Sequence, residues 1–173
     1  MEQISHLRDV IAASQLLQDV QARDDFVVAS VRFQAAGVDI HVNVDPELAD
    51  NPEICVDTLI ANTRRFLEMS ADHWKGLIND IALEVEEAVG DAEVEEPTDL
   101  RDDLRLHSAA IFADAVLLSF MAPRQFPDSW VRAQLCVELT LEDVSIDEKD
   151  DVETVEFNSL DELLDNLSSD KDV

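Results

Sequence analysis

The chain has 173 residues, of which 40 are Asp or Glu and 12 are Lys or Arg, so its formal net charge is −28 at neutral pH. Hydrophobic residues make up 46% of it, too large a fraction for a disordered chain, yet no stretch approaches the roughly 18 uninterrupted apolar residues of a membrane span. Direct binding to nucleic acid or to an anionic membrane surface is disfavoured, because both require clustered Lys and Arg. A basic protein partner is compatible with this charge.

The negative charge lies mainly in two segments, residues 84–103 and 142–173, whereas residues 104–141 have no net charge. The cysteines, Cys55 and Cys136, are too far apart in sequence for a metal knuckle or a redox pair. We expect both to be buried or half-buried free thiols, which are typical of a reducing compartment. The N-terminus lacks the basic start and apolar run of a secretory signal. These features predict a cytoplasmic protein.

The first half of the chain predicts helices around one hairpin. Apolar residues recur every three or four positions over residues 3–21, which indicates a helix. Apolar and polar residues then alternate over 27–33 and 38–44, and Gly37 lies in the short link, so an antiparallel hairpin with one buried face is predicted. Residues 52–89 have helical periodicity again and are interrupted near Ser70, which indicates two helices or one bent helix.

The second half predicts strands. Residues 91–103 form an acidic connector around Pro97, and strands are expected over 104–112 and 115–121. A loop at 123–128 precedes the longest alternation of the chain, 131–141, which predicts a strand of about eleven residues with a bend or bulge. Residues 143–146 can continue it. Ser159 and Glu162 form a capping box ahead of a short amphipathic helix, 159–168.

This order of elements predicts an α+β fold, because the strands are grouped rather than alternating with helices. We expect an antiparallel sheet of about five strands, packed against an N-terminal helix and a central helical pair, with a short C-terminal helix. The predicted division is a single domain over residues 1–146 and an acidic tail over 147–173.

The sequence contains no motif that identifies an enzyme. Its three glycines are far apart, so neither a phosphate-binding loop nor a dinucleotide fingerprint is present. None of the four histidines has a histidine partner at metal-ligand spacing, and no serine or cysteine lies in a nucleophile motif. No catalytic residue, cofactor or metal ligand is therefore predicted. Enzymatic activity stays undecided, and the missing motifs favour a non-enzymatic protein.

The best prediction is an acidic protein-interaction domain. Trp and Arg are enriched at binding hot spots, and the uncharged segment contains both, whereas the predicted terminal helix has a leucine stripe. The candidate contact residues are Arg124, Phe126, Trp130, Arg132, Leu160, Leu163, Leu164 and Leu167. An immunity-type protein or nucleic-acid mimic that antagonises a basic partner is one alternative. A hydrolase using carboxylates with His41 or His107 is another, and self-association through a strand edge or the leucine stripe is a third.

The pattern from Phe26 to Ile146 resembles a group of small uncharacterised bacterial domains, known only as families of unknown function, some of which occur beside toxin-immunity and defence genes. Their pattern is a hairpin, a long helical segment, two strands, and an aromatic loop before a final strand. In this chain it corresponds to residues 27–44, 52–89, 104–121 and 126–141. The family's loop commonly has an aromatic residue, a Gly and a His, whereas this chain has Phe126-Pro127-Asp128-Ser129-Trp130. The resemblance implies a fold and no established activity.

Overall fold

A computed structural model describes residues 2–50, 52–53, 55–89 and 99–148. Four helices lie in these ranges: α1 (Glu2–Ser14), α2 (Val56–Leu67), α3 (Ala71–Val89) and α4 (Leu100–Asp103). Seven strands accompany them: β1 (Gln18–Ala22), β2 (Val27–Phe33), β3 (Val38–Val44), β4 (Arg105–Ile111), β5 (Ala115–Ala122), β6 (Phe126–Cys136) and β7 (Leu141–Glu148). The α+β class predicted from the sequence is confirmed.

The seven strands form one sheet in which their spatial order equals their order in the chain. Every neighbouring pair is antiparallel except β3 and β4, which are parallel. A parallel pair requires a long crossover, and α2, α3 and α4 supply it between these strands. The prediction of about five antiparallel strands is therefore wrong in strand number and in the direction of this one pair. The hairpin of β2 and β3 is confirmed at its predicted positions.

The extra strand β1 lies where the sequence predicted the end of the first helix. Helix α1 ends at Ser14, and Gln15 has a φ of 59°, a left-handed conformation that stops the helix. The chain then turns into β1, which pairs with β2. Leu17 and Val20 fit the helical stripe, whereas the strand face of β1 is the two-residue step from Val20 to Ala22, so the apolar spacing of this short stretch did not distinguish the two.

The long strand predicted over residues 131–141 is not continuous: β6 ends at Cys136 and β7 begins at Leu141. The chain turns at residues 137–140, and Leu139 is buried there with a φ of 65°. The turn is held by two helical side chains: Arg65 donates a hydrogen bond to the carbonyl oxygen of Val137 (2.8 Å), and His73 Nε2 lies 3.0 Å from that of Leu139. Residues 143–146 consequently belong to a separate strand, β7, and residues 126–128, predicted as loop, begin β6.

The central helical segment forms two helices, α2 and α3. Of the two predicted alternatives, two helices or one bent helix, the first is confirmed. The break lies at residues 68–70, and the Ser70 hydroxyl accepts a hydrogen bond from the His73 backbone N–H (3.0 Å), which caps the start of α3. Helix α2 begins at Val56 rather than at the expected residue 52. Asn62 of α2 is buried, and its amide donates to the carbonyl oxygens of Phe112 and Ala113 (both 2.9 Å), joining α2 to the β4–β5 turn.

An aromatic cluster joins the helices to one face of the sheet. The rings of Phe33 and Phe66 stack with centroids 4.5 Å apart, and Trp74 meets Phe33 edge to face at 5.0 Å. Trp74 also stacks on Phe120, so residues of β2, α2, α3 and β5 share one contact network. Such pairs add to the stabilisation from burial alone. The predicted terminal helix, 159–168, lies outside the described residues; of the predicted tail, only Asp147 and Glu148 are described, and both belong to β7.

Candidate functional site on the open face of the sheet

The two faces of the sheet differ in burial. In β5, the alternate residues Val116, Leu118, Phe120 and Ala122 are buried, whereas Ala115, Leu117, Ser119 and Met121 are only half-buried. The buried set belongs to the core cluster that also contains the buried side chains of the described helices. Because successive strand residues point to opposite faces, the half-buried set lies on the other face, which we call the open face.

A row of hydrogen-bonding side chains crosses the open face from strand to strand. Its members occupy directly paired positions on five neighbouring strands: Ser30, His41, Ser108, Ser119 and Arg132. Ser145 of the edge strand β7 continues the row beyond Arg132. The small serines leave space between larger neighbours, so the row forms the floor of a groove. We call this concavity the groove; its floor and walls include Asn43, His107 and Trp130 as well as the row from Ser30 to Arg132.

His107 reaches the groove because β4 is irregular. The register with β5 shifts between Leu106 and Ser108, and the next buried residues, Leu106 and Ala109, are three positions apart instead of two. A β-bulge of this kind re-aims a side chain, so that His107 and Ser108 are both half-buried. The His107 ring lies 5.5 Å from that of His41 and 5.2 Å from that of Trp130. Both His107 and Trp130 also make an interaction beyond these ring contacts.

Charged side chains lie at both ends of the groove, and carboxylates outnumber basic groups at the β1 end. At the β6 end, Arg132 pairs with Asp147 of β7 at 3.4 Å, and about a third of each side chain remains exposed. At the β1 end, the acidic side chains of Asp19, Asp24 and Asp25 line the groove together with one basic side chain, Arg23, and the Ser30 hydroxyl donates to Asp19 (3.1 Å). A bound segment therefore meets carboxylates at one end and a guanidinium beside aromatic rings at the other.

The size of the groove favours a polypeptide over a small molecule. Its volume is about 1760 Å³, whereas pockets that hold small ligands are typically about 300–1,000 Å³. The groove is also only partly enclosed. A protein segment laid across the strands uses a surface of this shape.

The turn that leads into the Trp130 side of the groove is held by a buried carboxylate. Asp103 is 2% exposed, and it accepts hydrogen bonds from the backbone N–H groups of Arg124 (3.0 Å) and Gln125 (2.8 Å). A carboxylate bonded to consecutive N–H groups fixes a turn strongly, because charged acceptors make the stronger hydrogen bonds. Asp103 therefore determines where β6 begins and where Trp130 and Arg132 emerge.

Of the residues predicted as partner contacts, the structure brings Trp130 and Arg132 into the groove. Phe126 is half-buried and packs against the core cluster, and Arg124 lies exposed in the turn bonded to Asp103. The four leucines, Leu160, Leu163, Leu164 and Leu167, lie outside the described residues. The serine row was missed because a sequence does not show which strands pair. His41 and His107, named in the hydrolase alternative, both line the groove, and the three-residue spacing of Leu106 and Ala109 was the sequence signal for the bulge that turns His107 toward it.

The two thiols are free, but Cys55 is exposed, so the expectation that both are buried or half-buried is wrong for this residue. The Cys55 and Thr58 side chains are 2.9 Å apart, and this hydrogen bond lowers the pKa of the thiol. Cys136 has the same relation to Thr140 at 2.8 Å, which also lowers its pKa. Local hydrogen bonds therefore outweigh the acidic neighbours that oppose thiolate formation.

Two further observations concern the whole of the described chain. Among its His, Cys, Asp and Glu side chains, no group of three or more is arranged to hold a metal ion. No helix in the described ranges is both long and apolar enough to cross a membrane.

Comparison of the chain with family models, with curated proteins and with solved structures found no match in any of the three. The fold and the groove therefore define the class: an α+β protein with a mixed seven-stranded sheet, whose described helices pack on one face. The resemblance to bacterial domains of unknown function stays a prediction.

Proposed function

We propose that the protein is a non-enzymatic, acidic protein-interaction domain that binds a segment of a partner protein in the groove. The observation that carries this proposal is the in-register row from Ser30 to Arg132, which presents hydroxyl, imidazole and guanidinium groups across five strands of the open face. These groups can hydrogen-bond to the backbone or side chains of a segment laid across them. Trp130, at one end, adds the kind of aromatic anchor found in interface hot spots.

Charge supports a partner with a basic segment. The chain carries a net −28, and Asp19, Asp24 and Asp25 line one end of the groove. Opposite charge steers association and fixes the orientation of the bound segment. The proposal includes a cytoplasmic location, which two free thiols support. One special case of this proposal is an antagonist that blocks the basic surface of a toxin or of a nucleic-acid-binding protein.

Capture from native lysate tests this proposal with a matched pair of variants. Ser119→Tyr places a large ring on the groove floor without touching the buried face of β5. Leu83→Tyr is the control, because Leu83 is 44% exposed on α3 and the change adds a ring on the helical side. We expect S119Y to reduce binding at least about tenfold, equivalent to about 1.4 kcal/mol, and L83Y to retain it, with both melting like the wild type.

Two results would contradict the proposal. Equal capture by S119Y and the wild type would show that the groove is not the contact surface, and loss with L83Y alone would place the contact on the helices. Salt tests the electrostatic part, since attraction between exposed charges weakens as ionic strength rises. A partner recovered equally at low and high salt would leave the groove as the contact and remove the basic segment from the proposal.

A further inference from the structure

We infer that residues 149–173 of this chain, which we call the acidic segment, bind in the β4–β6 half of its own groove and compete there with the partner. The competition part of this inference rests on the proposed function, because it requires a partner segment that binds in the same groove. It concerns regulation of the same surface, and its test is made without any partner. Three observations support it: where the chain leaves the sheet, how far the segment reaches, and the chemistry of the two surfaces.

The chain leaves the sheet beside the groove. Strand β7 is the edge strand next to β6, and its last residues Asp147 and Glu148 pair with Trp130 and Ser129. Trp130 is a wall of the groove and touches His107. The acidic segment therefore starts next to the Trp130 end of the groove and not at a distant point of the surface.

The reach of the segment is sufficient. Residues 149–158 precede the predicted helix 159–168, and ten extended residues span at most about 33–36 Å. The groove floor from β6 to β2 crosses four strand spacings, about 19 Å, and a ten-residue helix is about 15 Å long. The helix can therefore lie on any part of the groove, and its position is decided by chemistry rather than by tether length.

The chemistry of the segment matches one half of the groove. Its nine acidic residues outnumber its two lysines, so the carboxylates of Asp19, Asp24 and Asp25, which outnumber Arg23 at the β1 end, repel it from that end. At the other end, Arg105, Met121, Trp130 and Asp147 occupy paired positions across β4 to β7, one residue row from Arg132. Two guanidinium groups lie in this half: Arg105 is exposed, and Arg132 pairs with Asp147 but keeps about a third of its side chain exposed.

The apolar side of the predicted helix also has a counterpart. Leu160, Leu163, Leu164 and Leu167 form one stripe. On the open face, the half-buried Met121 pairs with Trp130 on one side of the row, and the half-buried Leu117 lies on the other side of it. Leucine packed on these side chains removes apolar surface from water on both partners. Because a basic partner segment is drawn to the opposite, acidic end, it can enter the groove there and then displace the acidic segment.

Trp130 provides the readout. In a Trp74→Phe background Trp130 is the only indole, and Phe preserves an aromatic ring between Phe33 and Phe120. In this full-length chain we compare Leu163→Ser with Leu164→Ser, made together, against Asn166→Ser, a neutral change off the leucine stripe. The double variant is expected to shift Trp130 emission to the red and to raise its acrylamide quenching constant about twofold or more, because the ring gains water on one face. Asn166→Ser is expected to change neither.

A peptide of residues 149–173 added to the double variant should lower the quenching constant again, which also shows that the sheet has folded. In the unaltered segment, quenching should not depend on protein concentration, because the contact is within one chain. Equal quenching in all variants, or quenching that falls as concentration rises, as contact with a second copy requires, would overturn the inference. Neither result affects the capture difference between S119Y and L83Y, so the two proposals fail separately. If both hold, L163S/L164S should capture several-fold more partner than the wild type.

Discussion

Replacement of Asp103 by alanine should destabilise the fold more than its place in a four-residue helix suggests. The substitution removes the acceptor for the backbone N–H groups of Arg124 and Gln125 and leaves a void at a position that is 2% exposed. Hydrogen bonds to a charged group contribute about 1.5–3 kcal/mol each. Because the two bonds share one carboxylate, their contributions are not additive, and we expect a loss of about 3 kcal/mol.

The assay is urea unfolding followed by far-UV circular dichroism, with a thermal melt as a second measure. For a chain of this length, about 3 kcal/mol corresponds to a fall in melting temperature of about 6–12 °C. Asp103→Asn keeps one acceptor oxygen and should lose about half as much free energy of unfolding. The control is Asp102→Ala, because Asp102 is an exposed neighbour in the same helix, and its replacement should change stability by less than about 0.5 kcal/mol.

The reasoning about Asp103 would be refuted by a D103A variant as stable as D102A. It would also be refuted if D103N lost as much stability as D103A, since the hydrogen-bond account requires the asparagine oxygen to retain part of the interaction. In the Trp74→Phe background, a destabilised D103A variant should in addition show altered Trp130 fluorescence, because the turn that Asp103 holds leads into this part of β6.

Three further predictions concern titratable groups. Desolvation by burial, followed by the charges of nearby aspartates, raises the pKa of Glu47. The protonated Glu47 side chain therefore stabilises the fold relative to the ionised one, and this stabilisation is lost as pH rises through that pKa. Glu47→Gln should raise the melting temperature at neutral pH but not in acid. Hydrogen bonds from the Arg101 backbone and side chain lower the pKa of Asp99 in the folded state. Asp99→Asn should therefore lower stability at neutral pH, and the difference from the wild type should disappear only as pH falls through this lowered pKa. Calorimetry over a pH series would contradict both predictions if the Glu47 and Asp99 variants changed alike. Iodoacetamide should alkylate Cys55 in the native protein faster than the half-buried Cys136, because both thiols have lowered pKa values and only Cys55 is exposed. Mass spectrometry of the labelled peptides measures the two rates, and equal rates would contradict this prediction.

The parts of the fold that the sequence predicted correctly are those set by local patterns. The hairpin of β2 and β3 follows from strict alternation with Gly37 in the turn, where φ is +67°. Apolar periodicity with an interruption near Ser70 predicted two helices or one bent helix, and the structure has two, with Ser70 capping α3. In both cases, side-chain spacing and a turn or cap residue agree, and no distant contact is needed to choose between structures.

The parts that were missed depend on contacts between distant residues. The turn at residues 137–140 contains no Gly or Pro, and Arg65 and His73 of the helices satisfy its carbonyl groups. The parallel pairing of β3 with β4 depends on the path of the crossover, which hydrophobic patterning does not encode. Trp130 and Arg132 could be selected from the chemistry of their side chains alone. The serines of the row could not, because only the strand register shows that they lie side by side.

The most direct test of the central claim is site-specific photo-crosslinking in the native host. A photoreactive phenylalanine analogue is placed at Ser119 on the groove floor, and in a parallel strain at Leu83 on the helical side. The account predicts a discrete crosslinked adduct with a partner protein from position 119 and none from position 83. An adduct from position 83 alone, or crosslinks from position 119 only to a second copy of this chain, would contradict a partner-binding groove on the open face.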